Sequence, residues 1–370
     1  MALIALAAND AWNIVNYRAG LVRALIGAGH DVAVIAPDGP NVARVRALGA
    51  TFHPLAMQPR GRSPMADLVL LTRFRALLAR IRPDAFLGFT AKPNIWGSIA
   101  ARSLHIPVFA NISGLGAAFA RGGVLMRLMS GLYRLALKAP ATVFFQNSDD
   151  RDLFVTAGIV AAERARLLPG SGIDLTHFAP RAAPSSGPCT FLFAGRLLWA
   201  KGVAEFVEAG RLLRGQGKDI RLQILGLVED GPSAVPRAAL DEWSTLGVAD
   251  YLGSTDDVRS AIAAADCVVL PSFYREGVPH ILLEAAAMAK PVISTDTPGC
   301  RDAVDDGVTG LLCPPRSAAL LAEAMSRLSE MTSAQRRTMG AAGRDKMERQ
   351  FDERLVHAAY LDAPLAVLKS

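Results

Sequence analysis

The sequence is short of cysteine and aromatic side chains and has no long apolar run, and each shortage excludes something. Its four cysteines, Cys189, Cys267, Cys300 and Cys313, never fall at CxxC spacing. That argues against a disulfide framework and a thiolate metal site, and two of them sit in strand-like runs as small hydrophobes suited to a reducing compartment. Aromatics make up 6% of the chain and no basic strand is interleaved with them, so nucleic acid is not an expected partner. No stretch approaches the roughly eighteen uncharged apolar residues of a membrane span. The apolar start, Met1 to Ala8, has no basic leader before it and stops at Asn9-Asp10, so no signal peptide is expected and a cytoplasmic location is.

Glycine is missing where one large enzyme class needs it. The turn Asn9 to Asn16 contains none, and Gly114-Leu115-Gly116 is followed by Phe119 where a third glycine should stand. A dinucleotide fingerprint needs those glycines for close phosphate approach, which weighs against a nicotinamide-dependent oxidoreductase.

What is present is an ordinary globular balance over 370 residues, 51% hydrophobic and 20% charged, enough for two domains with sizeable cores. The net charge of +6 favours anionic partners, so a non-catalytic anion or nucleic-acid binder is a second rival class. Ala2 to Ala8, Val32 to Ala36, Ala85 to Thr90, Val108 to Ile112 and Val143 to Phe145 read as strands, alternating with helical patterns over Asn13 to Ala28, Ile95 to Arg102 and Phe119 to Lys138. The last of these mixes Leu, Met and Tyr with Arg121, Arg127, Arg134 and Lys138; it reads either as a helix packed on its own domain or as one lying on an anionic membrane. Asp150 and Asp152 form a DxD string, which Ser148 as a helix cap with acids in the first turn explains without metal. The Pro-, Ser- and Ala-rich run 179 to 188 reads as a linker, which sets domains at 1–180 and 181–350 with a last helix over 351–370.

The most informative stretch runs from Pro271 to Gly299. An apolar strand, Cys267 to Leu270, meets a polar loop, then a helix with Ile281, Leu282, Ala285 and Met288 on one face, then the strand Val292-Ile293. Pro279 suits a first helical turn, which puts Glu276 just outside the helix and Glu284 inside it, at the carboxyl edge where open α/β sheets bind ligands. The N–H groups of Val278, His280 and Ile281 suit an anion, and a carboxylate further in can accept two hydrogen bonds from a vicinal diol. A sugar nucleotide meets both requirements. Upstream, Gly195-Arg196 and Lys201 follow the strand Thr190 to Ala194 and bring two fixed cations to the same edge, where they can stabilise a departing nucleoside diphosphate as a divalent metal does elsewhere. No metal site and no cofactor are expected.

Glu276-Gly277 with Glu284, the downstream PVISTDTPGCRDAVDDGVTGLLCPP, and the Arg196/Lys201 loop together resemble family 4 retaining glycosyltransferases of the GT-B fold. The Ser113-Gly114-Leu115-Gly116 turn is similar to members that extend polyprenyl-diphosphate-linked oligosaccharides. The resemblance implies two Rossmann-like domains facing across a cleft, with the last helix crossing back to the first. It implies metal-independent transfer, with retention, of a hexose or N-acetylhexosamine from a nucleotide-sugar donor, uridine-linked, to a lipid-linked saccharide, with contact to an anionic membrane. Arg196 and Lys201 then bind the donor diphosphate, Glu284 the ribose, and Glu276 with Gly277, Val278, Pro279 and His280 the sugar. Gly253-Ser254 is similar to the loop that reads the base, and Gly195, in the glycine-bearing loop with Arg196, is counted among the donor-binding residues. Thr90 to Asn94 lies at the cleft in that family, where Lys92 and Asn94 are expected to meet acceptor or donor phosphate.

Overall fold

The structure is a computed structural model that describes residues 1–58, 63–116, 119, 123–181 and 187–368, the last five by backbone alone. Its chain divides into two units, Met1–Ser171 with Glu353–Ser370, and Gly172–Asp352.

The first unit is built on strands β1 (Leu3–Ala7), β2 (Asp31–Ala36), β3 (Thr51–Pro54), β4 (Ala85–Gly88), β5 (Val108–Ile112), β6 (Thr142–Phe145) and β7 (Ala165–Leu167). They pair in the order β3-β2-β1-β4-β5-β6-β7, all parallel. Parallel sheets need both faces covered, and the continuous apolar strands show it. On one face Leu6, Leu87, Phe109 and Phe144 meet Leu21, Leu25, Val356 and Tyr360. On the other, Ala7, Phe86 and Val108 meet Phe74 and Leu78, and alongside them Ala110, Val143 and Phe145 meet Tyr133, Ala136 and Phe154.

The final helix, Glu353–Leu368, is therefore part of the first unit's core. Tyr360 is 1% exposed, its ring 4.6 Å from that of Phe144, and its hydroxyl accepts from the Asn111 side-chain amide. Burying such an aromatic contributes about 2–3 kcal/mol.

The second unit repeats the plan with β8 (Cys189–Ala194), β9 (Ile220–Leu225), β10 (Asp250–Tyr251), β11 (Cys267–Leu270), β12 (Val292–Thr295) and β13 (Gly310–Cys313), in the order β10-β9-β8-β11-β12-β13. These strands are also parallel. In each sheet the order reverses once, between β1 and β4 and between β8 and β11. No helix among the described residues is long and apolar enough to cross a membrane.

Several expected details are corrected. The 13–28 helix is two, Ala11–Tyr17 and Ala19–Gly27, because Arg18 between them leaves helical geometry at φ −131°. Asp10 starts the first by accepting from the Asn13 N–H at 2.6 Å. The 95–102 helix begins as a π-helical turn, Pro93–Gly97, before Ser98–Ser103. Asn147, not Ser148, caps the helix Ser148–Thr156, its extended backbone letting the side chain reach the Asp150 N–H at 2.8 Å.

Of the expected 119–138 helix the structure gives Gly123–Ala136, while 120–122 lie outside the described residues, as do 182–186 of the expected linker. Residues 172–181 belong to the second unit rather than the first. Ile173 N–H donates to Phe351 at 2.8 Å, and the Arg344 guanidinium donates to the carbonyls of Leu175 and Phe178.

Candidate functional site

Charged and glycine residues of the second unit collect at its strand-order reversal, where the loops after β8 and β11 leave the sheet side by side. A reversal opens a crevice at the carboxyl edge because the two crossovers depart in opposite directions. The loops are locked together by backbone. Phe273 N–H donates to the Ala200 carbonyl at 3.0 Å. Gly202 has φ +81°, and a side chain there would collide with the Pro271 carbonyl. Only glycine tolerates both the left-handed backbone and the close approach.

Lys201 sits in a single 3-10 turn, Trp199–Lys201, that Gly202 closes. Its ammonium pairs with Glu276 of the β11 loop, with both side chains about 12–13% exposed. Ser272 Oγ donates to the same Glu276 oxygen at 3.0 Å, and the ammonium lies 5.8 Å from the centroid of the Tyr274 ring. Thr295, at the end of β12, donates to the Ser272 carbonyl, and a side chain on Gly299 would collide with the Gly277 carbonyl, so the β12 loop fixes the segment from behind. Burial of the neighbouring Cys300, next to the Glu276 charge, pushes its thiol pKa up, which keeps it an inert packing group.

Arg196 is more open, with its side chain 48% exposed and Nη1 3.5 Å from Glu229 Oε1 in the loop after β9. Gly195 adopts φ +149°, and a side chain on Gly226 would collide with the Gly195 carbonyl. Gly226 N–H in turn donates to Gly253 at 2.8 Å, so the loops after β8, β9 and β10 form one backbone chain that carries Gly253 and Ser254.

The helix His280–Ala287 starts one residue later than expected. Pro279 has φ −64° but ψ 120°, so it precedes the helix and accepts from the Leu282 N–H at 3.1 Å. His280 Nδ1 and Glu284 Oε1 lie 2.6 Å apart one turn along it, both mostly buried. Just before the helix Arg259–Ala264, Asp257 accepts from the Arg259 N–H at 3.1 Å and grips its guanidinium at 2.6 Å.

The sequence reading thus has Gly195, Arg196, Lys201, Gly253, Ser254, Glu276, Gly277, Val278, Pro279, His280 and Glu284 in one unit, on the loops and helix start of one sheet edge. Lys92 and Asn94 lie in the other unit and are engaged. Lys92 Nζ is 2.7 Å from Asp67 Oδ1, and Asn94, 1% exposed, donates to the Asn111 carbonyl at 2.7 Å. The amide of Asn94 is thereby an internal brace between β5 and the turn after β4, not an open phosphate ligand.

Sequence reasoning missed Ser272, Tyr274 and Glu229. Their signal was the one that found Arg196 and Glu276, a polar residue within a few positions of a strand's carboxyl end. Among the described residues no group of three or more His, Cys, Asp or Glu could hold a metal ion. The arrangement offers two cations for a polyanion, a carboxylate on an ordered helix turn, and a second carboxylate already oriented by a lysine and a serine.

Known proteins share this plan. Residues 14–200 match the model of the glycosyl transferase 4-like domain, and residues 188–331 match that of glycosyl transferases group 1. Over 97% of both chains the protein is 27% identical to the N,N'-diacetylbacillosaminyl-diphospho-undecaprenol alpha-1,3-N-acetylgalactosaminyltransferase of Campylobacter jejuni. Its fold is similar to that of the Anabaena protein HepE, solved in complex with UDP (TM-score 0.78, 17% identity, 99% of this chain and 100% of that one). It is also similar to sucrose-phosphate synthase of Thermosynechococcus elongatus (TM-score 0.82, 21% identity, 100% of each chain).

Proposed function

The chain belongs to the glycosyl transferase 4-like family of GT-B glycosyltransferases, and from that premise we propose that it moves a hexose or N-acetylhexosamine from a uridine-diphosphate donor to a hydroxyl of a lipid-linked saccharide, with retention at the anomeric carbon. The observation that carries the reading is the Lys201–Glu276 pair across the β8/β11 reversal, with Arg196 on the same loop as Lys201. Uridine is supported by the UDP complex of the similar Anabaena protein, and an N-acetylhexosamine with a polyprenyl-diphosphate acceptor by the name of the Campylobacter relative.

In this reading Arg196 and Lys201 neutralise the diphosphate as it leaves, and such fixed charges lower a barrier because they need no reorganisation at the moment of reaction. Glu284, oriented by His280, accepts from the two ribose hydroxyls. Gly253 and Ser254 meet the base through their backbone, and Gly195 lets the chain approach the phosphates. Glu276, with Gly277, Val278, Pro279 and His280, positions the transferred sugar, and Lys201 and Ser272 hold Glu276 for that task.

The C1–O bond to the diphosphate breaks, the acceptor oxygen bonds C1 from the same face, and its proton passes to the departing phosphate oxygen. The acceptor is assigned to the first unit, with Lys92 near it and Asn94 bracing the loop. No cofactor and no metal are part of the scheme, because the two fixed cations supply the charge.

Thermal-shift titration with uridine, guanosine and adenosine diphosphates, each with magnesium and with a chelator, tests the donor site. Stabilisation by one diphosphate in chelator supports it. A shift that needs magnesium, or none at all, rejects it.

A further inference from the structure

On the premise of the lipid-linked acceptor proposed above, we infer that Arg18 is the phosphate-binding side chain of the first unit and takes that acceptor's diphosphate.

Three cations are buried among the described residues, Arg18, Lys290 and Lys346. Two of them are compensated. Lys290 Nζ donates to the carbonyls of Ala263 and Ala265 at 2.8 and 2.7 Å, and Lys346 Nζ lies 2.7 Å from Asp305 Oδ1. Arg18 is not. It is 2% exposed, and no described residue gives an acceptor to its Nε or Nη1. The titratable groups that act on it are two phenols, Tyr360 and Tyr17, with no carboxylate among them. A guanidinium keeps its charge in proteins, so burying this one costs stability that no opposite charge offsets. Stacking 4.6 Å above the Phe89 ring offsets a part and supplies no acceptor. A water satisfies N–H groups but brings no charge. An anion does both.

The position of Arg18 suits the acceptor. The first sheet reverses its order between β1 and β4, and open α/β sheets take ligands at the carboxyl edge beside such a reversal. Arg18 reaches that edge from the segment after β1. Phe89, on which it stacks, is the residue after β4, held by its N–H donating to the Ala7 carbonyl at 3.0 Å. The other polar groups of this edge are engaged. Lys92 is paired with Asp67, Asn9 N–H donates to Thr90 Oγ1, Ser113 Oγ donates to Asn111 Oδ1, and the Asn111 amide donates to the Tyr360 hydroxyl. The Arg18 guanidinium still has donors to give, and its planar fork matches phosphate oxygens. The helix before it, Ala11–Tyr17, is two turns long and buries Ala11 and Ile14, so few contacts hold it and a small shift admits a ligand.

The test is calorimetric titration of the full chain with inorganic pyrophosphate in chelator. Uridine diphosphate is present at saturation to fill the donor site, and the titration is repeated without it in an Arg196→Ala, Lys201→Ala double variant. The parent is expected to bind pyrophosphate with the donor site filled, and the double variant to bind it too. Arg18→Met should weaken that binding by about tenfold or more and leave the uridine diphosphate thermal shift in place. It should also raise the melting temperature of the ligand-free chain, because it removes a buried charge without a partner, whereas an arginine kept for structure predicts a fall. Arg18→Lys, which keeps the charge and loses the fork, should bind between the two.

No pyrophosphate binding beyond the donor site, affinity unchanged in Arg18→Met, or a lower melting temperature in that variant overturns the inference. A parent with no uridine diphosphate shift rejects the donor site instead, and the double variant then decides on Arg18 alone.

Discussion

The two units reverse their strand order at corresponding places, but the loops that meet there differ in kind. In the second unit the loops after β8 and β11 carry Gly195 and Gly202 at positive φ and bring together Lys201, Glu276 and Ser272. In the first, the loops after β1 and β4 are joined through neutral groups, Asn9 N–H donating to Thr90 Oγ1 at 3.0 Å, with no glycine in the β1 turn.

Of the cations there, Lys92 is paired with Asp67, and Arg18 is 2% exposed, its guanidinium 4.6 Å above the Phe89 ring, with Nε and Nη1 lacking a hydrogen-bond acceptor and its pKa lowered by burial. Arg18 is part of the interior, while Arg196 is open to solvent. Topology reverses the strand order in both units; glycine and solvent-open charge distinguish the second, the one to which the proposed function assigns the donor diphosphate.

The sharpest way to break that comparison is at the glycines. Gly202→Ala should separate the two loops, costing about 3 kcal/mol or more in thermal unfolding and abolishing the diphosphate shift, since both the φ and the Pro271 contact are violated. The contrasting change in the first unit, Gly27→Ala at the end of a helix with open space around it, should stabilise by about 0.5–1 kcal/mol. If both behaved alike, the glycines of the second site would have no special role.

Next in size are Lys201→Ala and Glu276→Ala. Each should lower kcat/KM by about a hundredfold in a donor-hydrolysis or transfer assay, and the double variant should fall little further because the two act as one pair. Multiplicative losses would show that they act separately.

Smaller again is Asn94→Ala in the first unit, which removes the bond to the Asn111 carbonyl and should cost about 1–2 kcal/mol of stability with diphosphate affinity unchanged. A fall in affinity would move Asn94 into the donor site.

The smallest effect concerns Asp257, whose carboxyl is held down to about 2, chiefly by its hydrogen bond to the Arg259 side chain. A depressed carboxylate contributes above its unfolded value near 3.8 and loses that contribution as pH falls toward 2. Asp257 is half exposed, so Asp257→Asn should lower Tm by about a degree or less at neutral pH, and the difference should vanish in acid.

Much of this was legible in the chain. Apolar runs at strand length and 3.6-residue spacing give the α/β alternation, and the positions of Arg196, Lys201, Glu276 and Glu284 relative to strand ends fix which edge they occupy. Boundaries were less so. Arg18 breaks a pattern that reads as one helix, and residues 172–181 look like the end of one domain until the Arg344 guanidinium and the Phe351 carbonyl claim them for the other. The role of Asn94 was misread because a polar residue after a strand looks the same whether it faces a ligand or a neighbouring carbonyl.

What the sequence determined by itself is the local chemistry: apolar periodicity chooses strand or helix, and glycine or proline permits or forbids a turn, all through interactions within a few residues. What only the tertiary structure decided is which charges share a site. Lys201 finds Glu276 at a separation of 75 residues, and Asn111 finds Tyr360 at 249. Contacts at that distance are set by strand order and by the packing of whole elements, and no local pattern encodes them.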